Sequence, residues 1–328
     1  MLRIVRSFKH VRRPEPVATV PARRATREAR VWTGPARPQV VSDAITAAGG
    51  LLVDSAEANV IVWTSEDYGS DATPALSARL HPGIEWVQLD TAGVDHWISN
   101  HVIDGDRIWT RADYASPVAE HVLGFLLAAC RRFPAYARAT TWQPLGGEVL
   151  SGKTIGIVGC GRIGVEAIAL LRPFGVRILA ITDPRADISG ADECFGPDGL
   201  HGLLELCDLA VIALPLTNAT RRVIGAAELA LIGSDGWLIN VGRGELVDTD
   251  ALVEALSWGG LGGACLDVCD PEPLPDDHPL WGMDNVLITQ HSANPGLLNT
   301  YAKTVAENVR RFVVGDNLAL AIDVERGY

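Results

Sequence analysis

Short runs of β-branched and other apolar residues alternate along this chain with longer stretches whose apolar positions recur at helical spacing. Residues 29–33 read as a strand, 38–48 as a helix ending at Gly49-Gly50, and 59–64 (NVIVWT) and 85–89 (EWVQL) as buried strands. The last of these runs into the turn DTAGVD at 90–95. Strands separated by helices predict a parallel α/β sheet. Residues 117–132 (PVAEHVLGFLLAACRR) are apolar nearly all round, so that helix has to be covered by protein on most sides. Its leading proline and trailing arginines fit the polarity of a helix, and its place in the chain predicts a link between two domains.

From Lys153 the alternation restarts with greater regularity. Strands are expected at 154–158, 177–182, 209–214, 236–241, 263–268 and 285–289, and helices at 163–174, 200–206, 226–232 and 248–258. That order predicts a doubly wound sheet of about six strands. A final helix at 297–313 is long enough to cross back to the first domain.

Composition narrows the class. The chain has 328 residues, 48% hydrophobic and 21% charged, enough for two folded domains rather than disorder. Arg162, Glu166, Arg172 and Arg177 interrupt the most apolar region, 155–181, so no membrane-spanning run of roughly eighteen apolar residues is present. The net charge of −12 argues against nucleic acid as a partner. The first thirty residues run the other way, with nine Lys/Arg against two Glu. No apolar signal core follows them, and Pro14, Pro16 and Pro21 break them up, so 1–28 reads as a basic, disordered arm. The six cysteines (130, 160, 194, 207, 265, 269) are scattered singly, without zinc-ligand spacing. They read as small buried residues in a reducing cytoplasm, with no metal expected.

The chemistry enters with Gly159-Cys160-Gly161-Arg162-Ile163-Gly164, set between an expected strand and an expected helix. Gly159 permits the tight turn, Gly161 lets backbone approach a pyrophosphate, and Gly164 lets helix and strand pack closely. The helix N-terminus then offers N–H groups to phosphate. Asp183, at the end of the next strand, can accept from both adenosine ribose hydroxyls and would repel a 2′-phosphate, which favours NAD over NADP. Arg185 nearby works in the opposite direction. Arg243 (INVGRGELVD), Glu272 (LDVCDPEPLP) and His291 (ITQHSAN) follow later expected strands, on the sheet edge where open α/β sheets bind ligands. Histidine titrates in the range suited to proton transfer, a neighbouring carboxylate raises its pKa, and arginine supplies a forked cation for an oxo acid. Spacing alone does not show that the three converge.

These motifs resemble the D-isomer-specific 2-hydroxyacid dehydrogenases, the family of phosphoglycerate, glyoxylate/hydroxypyruvate and D-lactate dehydrogenases. The resemblance runs from about residue 31 to 314. It is most specific in LSGKTIGIVGCGRIG (150–164), LPLTNATRRVIG (214–225), LINVGRGELVDTDALVEAL (238–256), LDVCDPEPLPDDHPLW (266–281) and ITQHSAN (288–294), with PVAEH (117–121) and DTAGVD (90–95) in support. It implies two Rossmann-like doubly wound parallel-sheet domains. A discontinuous, flavodoxin-like substrate domain would take 29–116 plus 292–328, and an NAD-binding domain 117–291, hinged near 115–117 and 291–296.

The resemblance also implies roles. His291 would be the acid/base with Glu272 as its partner, and Arg243 would bind the substrate carboxylate and carbonyl. Ala92 and Gly93 would offer backbone N–H groups to that carboxylate. Arg162 and Ile163 would lie on the pyrophosphate, Pro215 would join the cofactor site, and Asp267 would contact the nicotinamide carboxamide. A cytoplasmic homodimer is expected, formed by the 117–132 helix and the segment after it, Trp142 included. Two departures stand out. Gln290 occupies the position before the histidine where the family has proline, so that loop is expected to be freer. TRADYAS (110–116) lacks the family's Asn and Gly. The expected activity is reversible, NAD-dependent reduction of a small 2-oxo acid of the hydroxypyruvate, glyoxylate or 3-phosphohydroxypyruvate class. A dinucleotide-sensing, corepressor-like protein is the alternative, and formate or phosphite oxidation a more remote one.

Overall fold

The computed structural model describes residues 27–65, 72–182, 188–295 and 298–328. Most of the basic arm, and both Asp183 and Arg185, lie outside the described residues.

Two all-parallel sheets carry the fold. The first runs β2-β1-β3-β4-β5, from β1 (Arg30–Pro35), β2 (Leu51–Leu52), β3 (Val60–Thr64), β4 (Trp86–Gln88) and β5 (Ile108–Thr110). This is the flavodoxin-like strand order. Every residue of the central β3 is buried, as expected of a parallel strand covered on both faces. β2 and β5 were not anticipated, because two or three residues carry no readable periodicity.

The second sheet runs β12-β11-β10-β9-β6-β7-β8, from β6 (Thr154–Val158), β7 (Arg177–Ile181), β8 (Glu193–Phe195), β9 (Leu209–Ile212), β10 (Trp237–Asn240), β11 (Gly263–Leu266) and β12 (Val286–Ile288). Six strands match the expectation. The seventh, β8, is a short edge strand with two of its three residues exposed, so it lacks the apolar signature. Val158 of β6 pairs with Ile181 on one side and Ile212 on the other. The strand order reverses at that point, leaving a crevice beyond the carboxyl ends of β6 and β9.

The linking helix spans Ala115–Cys130 and so begins two residues ahead of its expected start. Pro117 thus sits inside the first turn, where a backbone N–H has no intrahelical partner to lose. The helix packs against the helix Arg162–Leu171 and against β10 and β11, burying Val118, Val122, Phe125, Leu126 and Ala129. Arg132, at φ 52, turns the chain away in the left-handed region. The final helix, Leu298–Val314, returns to the first sheet and packs on the helix Gln39–Ala47. Its Tyr301 hydroxyl donates to the Trp63 carbonyl (2.7 Å), and Phe312 stacks on Trp86 at 5.6 Å between centroids. Trp32, Trp63, Trp86, Trp97 and Trp109 are all buried within or beside this first sheet. Among the described residues no helix is long and apolar enough to cross a membrane, and no cluster of His, Cys, Asp or Glu could hold a metal.

Candidate active site

The glycine loop leaves β6 at the crevice. Gly159 has φ +107, and a Cβ there would lie 2.7 Å from the Ala213 carbonyl oxygen at the end of β9. A Cβ on Gly164 would come within 2.5 Å of the Gly159 carbonyl oxygen, which fixes how closely helix and strand approach. Gly161 faces open space, and the first intrahelical bond is donated by Val165 to the Gly161 carbonyl. The N–H groups of Arg162, Ile163 and Gly164 are thus left at a helix N-terminus beside an open volume, which suits a dinucleotide pyrophosphate. Pro215 follows β9 on the same crevice, its carbonyl accepting from the Thr220 hydroxyl (2.7 Å). The Arg162 side chain reaches across to Asp113, making bonds of 3.2 and 2.5 Å from Nε and Nη2.

The loop after β10 is hooked in place by Asn240, which is buried. Its Nδ2 donates to the Arg243 carbonyl (2.8 Å), and its Oδ1 accepts from the Gly242 N–H (3.1 Å). Gly244 lets this loop press on the next, since a Cβ there would lie 1.9 Å from the Cys269 carbonyl oxygen. Arg243 Nε donates to Asp95 (2.9 Å) and Nη1 to the Gly242 carbonyl (2.8 Å). Nη2 remains, and it occupies the space beside Gly93: a Cβ on Gly93 would be only 1.4 Å from it. The turn 90–95 and Arg243, far apart in sequence, therefore meet.

His291 Nδ1 lies 2.6 Å from Glu272 Oε1, and both side chains are close to half exposed (48% and 43%), so the pair is open to a small ligand. The hydrogen bond to Glu272 holds the His291 pKa above the ordinary histidine value, outweighing burial and the Arg243 cation. Burial alone would push Glu272 up. The hydrogen bond and charge of His291, a backbone N–H from Cys269 and the Arg243 cation overcome it, and its pKa is lowered. Arg243 acts on both partners, which places Arg243, Glu272 and His291 in one electrostatic neighbourhood.

The histidine loop is held from behind. Gln290 and His291 both have positive φ, 53 and 58. Proline locks φ near −65°, so proline at 290 is incompatible with this loop. Rather than being freer, the loop is tied to Asp267, which is buried. Its Oδ1 accepts from Thr289 Oγ1 (2.6 Å), Ser292 N (2.8 Å) and Ala293 N (3.1 Å), while Oδ2 accepts from Ala293 N (3.2 Å). Oδ2 keeps acceptor capacity for another donor.

Thr289 spends its single proton on this carboxylate, so in its 3.0 Å contact with His121 Nε2 it can only accept. The contact therefore selects the Nε2–H form of His121, and burial lowers the pKa of that ring despite Asp267 nearby. His121 lies on the linking helix, so that helix is hydrogen-bonded to the loop carrying His291. Reading residue types missed Asn240, Thr289, His121 and Asp95 as parts of the site, although each lies in or beside a motif already quoted.

The chain matches the family model "D-isomer specific 2-hydroxyacid dehydrogenase, NAD binding domain" over residues 123–293. It is 33% identical over 297 residues to a glyoxylate reductase of Thermofilum pendens, covering 79% of this chain and 86% of that one. Among solved structures, a D-isomer specific 2-hydroxyacid dehydrogenase of Xanthobacter autotrophicus in complex with NADPH and MES superposes with TM-score 0.79 at 29% identity, covering 92% of this chain and all of that one. An NADPH-dependent glyoxylate/hydroxypyruvate reductase of Sinorhizobium meliloti, solved with NADP and sulfate, gives 0.78 at 27% identity, with the same coverage. The chain belongs to the D-isomer-specific 2-hydroxyacid dehydrogenase family. It is thus an oxidoreductase with that family's dinucleotide-binding domain.

Proposed function

We propose that this protein is an NAD-dependent D-2-hydroxyacid dehydrogenase that reversibly reduces a small 2-oxo acid of the hydroxypyruvate, glyoxylate or 3-phosphohydroxypyruvate class. The observation that carries the reading is the 2.6 Å pair of His291 and Glu272 beside Arg243. Glu272 as a carboxylate can only accept, so Nδ1 of His291 carries the hydrogen between them and Nε2 holds the transferable proton. Arg243 has two nitrogens committed to Asp95 and Gly242, leaving Nη2 beside Gly93 for the substrate carboxylate and carbonyl oxygen. Gly159, Gly161, Pro215 and the open N-terminus at 162–164 would hold the dinucleotide, which when bound would supply the hydride. Asp267 Oδ2 would be free to accept from the carboxamide, while its Oδ1 fixes the histidine loop. His291 then delivers its proton to the carbonyl oxygen, and the oxyanion character that develops there is met by Arg243.

Asp183 supports NAD, whereas Arg185 and the NADPH and NADP of similar structures point the other way. A panel of 2-oxo acids with NADH and NADPH tests both parts of the reading. Oxidation of NADH in preference to NADPH by at least one acid is expected. Oxidation of neither dinucleotide with any acid would favour a sensor, and faster NADPH turnover would reverse the cofactor reading.

The partner in the same reading is a second copy of the chain. Phe133, Tyr136, Trp142 and Val149 are all exposed, and they cluster in the segment that follows the linking helix. Scattered apolar exposure is ordinary, but such a concentration supports an interface there. Sedimentation at micromolar concentration is expected to give twice the chain mass, and a monomer would remove this part of the proposal.

A further inference from the structure

Arg111 follows β5, at the carboxyl edge of the first sheet, in the TRADYAS segment that departs from the family pattern. Its Nη1 donates to the Ala92 carbonyl over a long 3.3 Å, and its Nε is buried without a hydrogen-bond partner. Its neighbours in the cleft are differently placed. Arg243 is paired with Asp95, and Arg162 takes Asp113, the carboxylate two residues from Arg111. Among the described residues no carboxylate lies within ion-pair distance of Arg111. Burial lowers its pKa, Asp113 opposes that, and the Arg162 cation adds to it. A half-buried cation with no ion-paired carboxylate is costly unless an anion arrives to complete it.

The loop geometry indicates where that anion would sit. In a trans peptide the Ala92 carbonyl and the Gly93 N–H point to opposite edges. Arg111 holds the carbonyl edge, while Gly93 adjoins Arg243 Nη2. We infer that Arg111 is a specificity-determining residue that binds a second anionic group of the substrate, and that the preferred 2-oxo acid carries a carboxylate or phosphate several bonds from its C1 carboxylate. This rests on the proposed dehydrogenase reading and narrows its substrate class. Glyoxylate has no second anionic group to offer. A four- or five-carbon dicarboxylic 2-oxo acid, or a phosphate ester of a 3-hydroxy-2-oxo acid, carries one.

The test compares pairs of acids matched in the rest of the molecule: oxaloacetate with 2-oxobutyrate, and 3-phosphohydroxypyruvate with hydroxypyruvate. Wild-type kcat/KM is expected to favour the second-anion member, the two pairs showing whether carboxylate or phosphate is preferred. Arg111→Ala should lower that ratio by about tenfold to a hundredfold, the effect of one hydrogen-bonded charge, expressed in KM, and Arg111→Lys should restore part of it. A ratio cancels any loss of folded protein. The inference is overturned if the ratio is unmoved, or if the loss appears as a raised KM for the dinucleotide with every acid, which would place the guanidinium on the cofactor phosphates. Calorimetric titration of succinate and butyrate separates the two readings. If wild type reduces no acid yet binds succinate through Arg111, the dehydrogenase reading fails while the anion site stands. If no acid is reduced and succinate binding ignores Arg111, both fail.

Discussion

Replacing His291 with asparagine should lower kcat for 2-oxo acid reduction by about a thousandfold, within the range a positioned general acid contributes. Asparagine is the informative choice because residue 291 has φ +58, and Asn is among the residues that tolerate the left-handed region. The loop is thereby spared, and the loss reports on the proton rather than on the backbone. Dinucleotide affinity, read by fluorescence titration, should change little, since the glycine loop lies elsewhere. A rate within about tenfold of wild type would remove His291 from the acid's role.

The pH dependence follows from the same pair. Because the hydrogen bond to Glu272 raises the His291 pKa above the ordinary histidine value, the imidazolium persists to higher pH than in a free histidine. Reduction consumes a proton from that imidazolium, so its rate should be maximal at low pH and fall as pH rises through the raised pKa. Oxidation needs the neutral ring and should rise through the same interval. Glu272→Gln takes away the raising charge and should move both limbs toward acid pH.

Gly93→Ala should lower kcat/KM for the oxo acid by roughly a hundredfold, the scale of an ångström-level misplacement of a binding group. The added Cβ would fall 1.4 Å from Arg243 Nη2, the far end of a flexible side chain, so the guanidinium must leave while the backbone can stay. Gly93 is outside the positive-φ set, so alanine imposes no backbone strain there, and apart from Arg243 its Cβ would meet only Asp95 Oδ1 closely, at 3.1 Å. The thermal midpoint should therefore shift by no more than a few degrees. A large loss of stability with retained turnover in the surviving fraction would show that Arg243 is not the group displaced.

How much of this was legible in the residues depends on length. β-branched runs such as 60–64 and 154–158, and helices with a clear apolar face, declare themselves because many residues repeat one signal. β2, β5 and β8 do not, because two or three residues cannot. The triad's chain positions were readable from residue type and from strand ends, but convergence was not: it depends on Gly244 seating one loop on another and on Asn240 hooking the Arg243 loop. His121 was hidden because a histidine on an apolar helix ordinarily reads as core. The Gln290 departure pointed toward a looser loop, and the tethers that reverse that expectation come from Asp267, twenty-three residues upstream. Asp183, the residue that leaned the cofactor toward NAD, lies outside the described residues.

The Arg162–Asp113 bridge has a consequence for how a dinucleotide is received. Arg162 is paired with Asp113, a carboxylate of the segment leading into the linking helix, and its guanidinium would have to leave that carboxylate to meet a pyrophosphate. Both side chains retain solvent contact, 54% and 27%, so the pair is worth at most about 1 kcal/mol and weakens with salt. Giving up the bridge to a phosphate would therefore tax affinity by no more than roughly fivefold.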